Sequence, residues 1–278
     1  MKNILIPTDF SENAWNAIEY AVALFEKDSC HFFLIHVDDL REAPVNAQTF
    51  FVPSIKPAVS AKNQLYEVVK RVERLHPNSL HHFLPILEYG NMIDALRRTV
   101  AEKKIELIVM GTIGAKGLKK LIIGSNTGDV LTKVRCNTLV IPEKASFIPP
   151  KVVAFPTDYT IFYSFKILQN LSEMLQMNRA DLKVLHVSKN KGRLDHTQEK
   201  NKEYLQDYLV EIFPKNHSFH TVLDKKITDA VAQFVTSWEV DLIVMIAKNL
   251  NFMQQMLFDS TVEKLSFHTA VPFMVLHD

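Results

Sequence analysis

IELIVMGTIGAKGLKKLIIGSNT, residues 105–127, is the stretch from which the fold is read. It opens as a short apolar run, Ile105 to Met110, of the kind buried on both faces of a parallel sheet. Gly111, Gly114 and Gly117 then break the run, and Gly124-Ser125-Asn126-Thr127 opens a helical pattern. Strand, glycine loop and helix N-terminus together make a phosphate cradle. Glycines let the backbone approach an anion, and the first-turn N–H groups of the helix point at it. Ser125 and Thr127 add hydroxyls beside those donors. A plain turn is the alternative. Five of the chain's 7 glycines lie between Gly111 and Gly128, so that alternative has to apply to one loop five times.

Outward from this stretch, strands and helices alternate. Residues 3–7 (NILIP) form a first strand. Thr8-Asp9-Phe10-Ser11 leads into a helix to about Phe25, with Asp9 or Ser11 as its N-cap. Cys30–Val37 is a second strand, and 38–58 is a proline-punctuated loop. A helix follows over 59–75. Pro85 makes the strand at 81–89 an edge strand or a bulge. Helices over 92–103 and to about Arg135 flank the opening stretch, and Thr138–Ile141 is the last strand. This alternation predicts a doubly wound α/β sheet.

After a linker at 143–150 the pattern returns. Ile6-Pro7-Thr8-Asp9 recurs as Phe155-Pro156-Thr157-Asp158, Leu34-Ile35-His36-Val37 as Val184-Leu185-His186-Val187, and Glu106–Met110 as Asp241–Met245. Ordered matches of this kind predict two tandem copies of one fold, residues 1–145 and 146–278. The offset between copies falls from 150 to 135, so the second copy lacks about fifteen residues, mainly after its second strand.

In an open parallel sheet, ligands bind beyond the carboxyl ends of the strands where strand order reverses. Asp9 follows the first strand and Gly111 the fourth, so a carboxylate stands beside the phosphate cradle. Like charges repel, so Asp9 suits hydroxyls or a base edge rather than phosphate. The expected ligand is a nucleotide, with Asp9 on the nucleoside side and Gly114, Gly124, Ser125 and Thr127 on the phosphate side. Taken alone, Asp9 reads equally well as a helix cap.

Composition narrows the class. With 278 residues, 47% hydrophobic and 23% charged, the chain is an ordinary globular protein of one or two domains. A net charge of +1 gives no electrostatic case for nucleic acid or a membrane surface. Cys30 and Cys136 read as small core residues in a reducing compartment, and no run reaches membrane-spanning length, so a cytoplasmic protein is expected. The 11 histidines are scattered without metal-ligand spacing. No P-loop, Gly-x-Gly-x-x-Gly or nucleophile elbow is present, and Lys116, Lys119 and Lys120 read as a solvated loop face.

The spacing Gly111-x2-Gly114-x9-Gly124-Ser125 resembles the ATP-binding signature of the universal stress protein family. Pro7-Thr8-Asp9-Phe10-Ser11 and His36-Val37 resemble the family's other two marks, and the likeness covers nearly the whole chain. It implies two Rossmann-like domains of the adenine nucleotide α-hydrolase type. Each would be a five-stranded parallel sheet in the order 3-2-1-4-5 with helices on both faces, and the two would pair through their last strands. It further implies ATP as ligand, with or without Mg²⁺. Thr8, Asp9 and Val37 would lie at adenine and ribose, Gly111 by the ribose, and Gly114, Gly124, Ser125 and Thr127 at the phosphates. Asn126 stands where such members often carry a small apolar residue, and its backbone N–H can still donate.

The second copy departs from that signature. At offset 135 Gly111 becomes Ile246, Gly114 becomes Asn249, Gly117 becomes Phe252 and Gly124 becomes Asp259, while Ser125 survives as Ser260. Asp259 would put a carboxylate where phosphate should sit, so this copy is expected not to bind ATP through its loop. The expected function is a nucleotide-dependent stress-response or signalling module with one site, in the N-terminal half, and no catalytic residues. It would have an adenine nucleotide and its own second half as partners, with homodimerisation open. The alternatives are a slow ATPase or phosphotransferase, and an interaction scaffold without nucleotide.

Overall fold

The computed structural model describes residues 1–38, 60–112, 125–188, 193–223, 227–248 and 271–278. In the first half, β1 (Lys2–Pro7), α1 (Glu12–Leu24), β2 (Cys30–Asp38), α2 (Ala61–Leu75), β3 (His81–Tyr89), α3 (Met92–Lys103), β4 (Leu107–Gly111), α4 (Ser125–Lys133) and β5 (Thr138–Ile141) follow in order. The second half repeats them as β6 (Val152–Pro156), α5 (Phe165–Asn178), β7 (Asp181–Ser188), α6 (His196–Ile212), β8 (His217–Leu223), α7 (Ile227–Ser237), β9 (Leu242–Ile246) and β10 (Phe273–Leu276). Between β9 and β10 the chain at 249–270 lies outside the described residues, and with it Asn249, Phe252, Asp259 and Ser260. The loop expected at 38–58 lies outside them as well, apart from Asp38, which ends β2.

The strands form one sheet in the order β3-β2-β1-β4-β5-β10-β9-β6-β7-β8. Each half therefore has the order 3-2-1-4-5, parallel throughout, and the halves meet where β5 and β10 pair antiparallel, Leu139 opposite Met274. The central strands are apolar on both faces because helices cover both. Ile4, Ile6, Phe32 and Leu34 point to one face with Val153, Phe155 and Val184 of the second half, under α1, α2, α5 and α6. Leu5, Phe33 and Ile35 point to the other with Ala154 and Leu185, under α3, α4 and α7. The division of the core is thus between the two faces of the sheet, not between the two halves. Pro85 sits in β3, an edge strand, as its missing N–H requires.

Helix starts follow local chemistry. The Ser11 hydroxyl accepts from the Ala14 N–H and caps α1, so of the two expected caps the structure uses Ser11. Ser60, Asn91 and Ser164 cap α2, α3 and α5 in the same way, and Asp195 with Gln198 forms a capping box on α6. Twenty-two residues separate β2 from α2 and seven separate β7 from α6, which places the fifteen-residue loss where the repeat offsets put it.

At the seam His277 follows β10, and its backbone N–H donates to Asn137 Oδ1 at 2.9 Å. Burial, helped by the Arg135 cation, pushes its imidazole pKa down to about 4, against the pull of the Leu131 carbonyl. The unfolded chain takes up a proton near pH 6.5, while the folded chain does not until about pH 4. Stability is therefore complete above pH 6.5 and falls as the pH drops towards 4, by up to about 2–3 kcal/mol from this group. Urea melts between pH 7 and 4 should show that slope in the native chain and a shallower one in His277→Gln. Equal slopes would remove His277 as its source.

Candidate functional site

Strand order reverses between β1 and β4, since β1 pairs with β2 on one side and β4 on the other. The carboxyl ends of these three strands bring Pro7, Thr8, Asp9, Val37 and Gly111 to one edge of the sheet. Each is held by identifiable bonds. The Thr8 N–H donates to the Ile35 carbonyl at 2.8 Å, continuing the ladder past the end of β1. The Thr8 carbonyl accepts from His36 Nδ1 at 2.7 Å, which puts the imidazole proton on that nitrogen. Thr8 Oγ1 accepts the N–H of Phe10, a residue in the left-handed region at φ 65°. A non-glycine residue there costs about 1–2 kcal/mol, and here the Phe10 ring recovers contact with the His36 ring, 4.3 Å away. Asp9 Oδ1 accepts from the Ser11 N–H at 3.1 Å and from the Ser11 hydroxyl at 2.6 Å. The carboxylate is thereby fixed, half-buried, at the mouth of the switch point.

Gly111 ends β4 against α1. A Cβ on it would stand 2.7 Å from Asn13 Cγ and Nδ2, closer than a real Cβ tolerates. The Asn13 amide in the first turn of α1 thus packs directly on this glycine, and any side chain at 111 has to displace it. Asn13, 5% exposed, is a site residue that the sequence reading missed. Its only signal is position, two residues past a serine cap. Thr127 is also buried, and its hydroxyl donates to the Gly111 carbonyl at 3.0 Å. That bond ties the first turn of α4 to the end of β4 and engages the Thr127 hydroxyl proton within the protein. Asn126 is exposed in the same turn, and Ser125 begins the helix. Gly114 and Gly124, like Lys116, Lys119 and Lys120, lie outside the described residues.

The second half repeats the turn almost bond for bond. Tyr159, at φ 58°, donates its N–H to Thr157 Oγ1 at 3.1 Å, and the Thr157 carbonyl accepts from His186 Nδ1 at 3.1 Å. Asp158 Oδ1 accepts from the Thr160 N–H and hydroxyl at 3.0 and 2.8 Å. What differs is the space in front. α5 starts 153 residues after α1, whereas Pro156 follows Pro7 by 149, so this turn is four residues longer. The extra length delivers Tyr163, fully buried, whose hydroxyl bonds Thr157 Oγ1 at 2.6 Å. Burial raises the Tyr159 and Tyr163 phenol pKa values and lowers that of His186. Gln198 and Asn201 of α6 cap the carbonyls of Asp158 and Tyr159 at 2.7 and 2.9 Å. Ile246, 5% exposed, stands at the position of Gly111, and Val187 is buried where Val37 is partly exposed.

Among the described residues no three His, Cys, Asp or Glu side chains gather as a metal site, and no helix is long and apolar enough to cross a membrane.

Comparison with known proteins agrees with this architecture. A universal stress protein of Methanocaldococcus jannaschii is 27% identical over 161 residues, which span 52% of this chain and 97% of that one. The crystal structure of a universal stress protein from Archaeoglobus fulgidus superposes over 99% of this chain and 98% of its own, with a TM-score of 0.60 at 14% identity. A shorter universal stress protein from the same organism, solved in complex with dAMP, covers 46% of this chain at a TM-score of 0.32 and 12% identity. The model of the universal stress protein family matches twice, over residues 1–142 and 153–277. The chain thus belongs to the universal stress protein family and carries two of its domains in tandem.

Proposed function

We propose that the first domain, residues 1–145, binds one adenine nucleotide, ATP, beyond the carboxyl ends of β1, β2 and β4, and that the second, residues 146–278, does not bind it at the matching place. The observation that carries this reading is the contrast between two closely matching turns. One faces Gly111 and a partly exposed Val37. The other faces Ile246, a buried Val187 and Tyr163. The residues of the first turn fit a nucleotide. Asp9 and the Thr8 backbone suit the nucleoside, and the first-turn N–H groups of α4, fixed by Thr127, suit phosphates. Gly114 and Gly124 would complete the cradle. Mg²⁺ would enter with the phosphate oxygens as its main ligands. In this reading the chain works in the cytoplasm as a nucleotide-dependent stress-response module, its two domains acting as an internal pair.

Calorimetric titration with ATP should give one site per chain. Asp9→Ala should weaken it by roughly ten- to a hundred-fold, the worth of a hydrogen bond to a charged group. Asp158→Ala should leave it unchanged. Silence at millimolar ATP, or equal losses in the two variants, would refute the one-site reading.

A further inference from the structure

The 11 histidines are scattered along the chain, but the register of the sheet brings two of them together. β2 and β3 run parallel with His31 opposite His82, and Asn3 of β1 stands opposite His31 on the other side. All three lie at the amino ends of their strands. The nucleotide reading uses the carboxyl ends, and the run of β2 from His31 to Val37 is about 20 Å long. Side chains alternate along a strand, so His31 shares the sheet face of Phe33, whose ring centre is 6.1 Å from its own. β3 is an edge strand, and His82 is exposed while His31 is half-buried.

Asn3 decides which His31 nitrogen carries a lone pair. Its Nδ2 donates to the Lys103 carbonyl at 2.7 Å, which turns its Oδ1 towards His31. An amide oxygen only accepts, so the 3.2 Å bond to His31 Nδ1 puts the proton of the neutral ring on Nδ1 and the lone pair on Nε2. Metal-ligating histidines take this arrangement, one nitrogen bound to the metal and the other donating to a fixed acceptor. Among the described residues no hydrogen bond engages His31 Nε2 or either ring nitrogen of His82. The two rings are 5.5 Å apart, centre to centre. A zinc-bound nitrogen lies about 2.0–2.1 Å from the metal and its ring centre about 1.1 Å further, so two imidazoles at a tetrahedral angle have centres about 5 Å apart. The observed spacing matches that arrangement to within a small turn of the exposed His82 ring.

We propose that His31 and His82 together bind one divalent transition-metal ion of the zinc, nickel or copper class, with water in its remaining positions. Two imidazoles select such ions over Mg²⁺ and Ca²⁺, which prefer oxygen ligands. Two protein ligands also make an open, exchangeable site rather than a closed structural one. The ion clips the edge strand β3 to β2 and so stabilises the folded chain. The site is separate from the nucleotide reading and stands without it.

The test is calorimetric titration of the full chain, free of nucleotide, with Zn²⁺, Ni²⁺ and Mg²⁺ as chlorides. Zn²⁺ and Ni²⁺ should bind at submillimolar concentration and Mg²⁺ at least about ten-fold more weakly. His82→Ala, a change at an exposed position, should weaken Zn²⁺ and Ni²⁺ by roughly ten-fold or more, and His31→Ala should do the same. His196→Ala, which removes an exposed histidine elsewhere, should leave both affinities unchanged. Zn²⁺ should also raise the melting temperature of the parent chain and of His196→Ala, but not that of His82→Ala. No Zn²⁺ or Ni²⁺ binding below millimolar concentration, equal affinity for Mg²⁺, or indifference to His82→Ala would each overturn the proposal. So would undiminished binding by a folded His31→Ala chain, and His82→Ala decides alone if that chain does not fold.

Discussion

Gly111→Ala should destabilise the chain by about 1–3 kcal/mol, the usual penalty for forcing atoms into a packed core. The new Cβ would stand 2.7 Å from Asn13 Cγ and 2.9 Å from Asn13 Oδ1, and Asn13 is itself buried. Relief requires the Asn13 amide to leave its buried position or the first turn of α1 to move off β4. That turn carries the Ser11 cap, and Ser11 holds Asp9, so the ATP affinity proposed for this site should fall along with stability. The diagnostic is the double variant. Asn13→Ala removes the obstructing amide, so Asn13→Ala/Gly111→Ala should be more stable than the sum of the single effects predicts, by at least about 0.5 kcal/mol. Denaturant melts of the four chains measure this. Strict additivity, or a Gly111→Ala chain as stable as the parent, would mean that the contact does not constrain position 111.

Tyr163→Ala should be still more damaging, at about 3–5 kcal/mol, the range for emptying a buried aromatic site. The ring is fully enclosed, 6.1 Å from that of Phe155, and its hydroxyl bonds Thr157. Tyr163→Phe keeps the ring and loses only that bond, so it should lose about 1 kcal/mol. Both faces of the core run through both halves. The loss should therefore lower one cooperative transition for the whole chain. Two separate transitions, with the first half melting at its parental midpoint, would show that the seam does not couple the halves. A cost for Tyr163→Ala no greater than for Tyr163→Phe would show that the ring packs nothing.

The parts of this architecture legible in the sequence are those written in local patterns. Runs such as Ile105–Met110 and its copy Val240–Met245 announce strands covered on both faces, and the spacing of the repeats locates the loss between β7 and α6. The resemblance to a known family supplies strand order and the pairing of last strands, neither of which periodicity contains. The chemistry of the site is less legible. Asp9 reads as a cap or as a ligand group, because a carboxylate before a helix suits both, and only three-dimensional placement assigns the cap to Ser11. Thr127 invites a reading through its hydroxyl, but that hydroxyl bonds the Gly111 carbonyl across sixteen residues of chain. Asn13 and Tyr163 leave no motif at all. One matters through a steric contact with a distant glycine. The other matters through four extra residues that offset arithmetic on strands alone does not register.

The antiparallel pairing of β5 with β10 has a consequence for how this molecule could change over generations. An assembly of two identical subunits inherits every substitution twice, once in each copy, so a change that closes one site closes both. Here both partners of the seam are encoded in one reading frame at different codons. The glycine at 111 and the isoleucine at 246 can be selected independently, and so can the tyrosine that has no counterpart before α1. Either half can therefore change at its switch point without the other, while the shared sheet holds the two together.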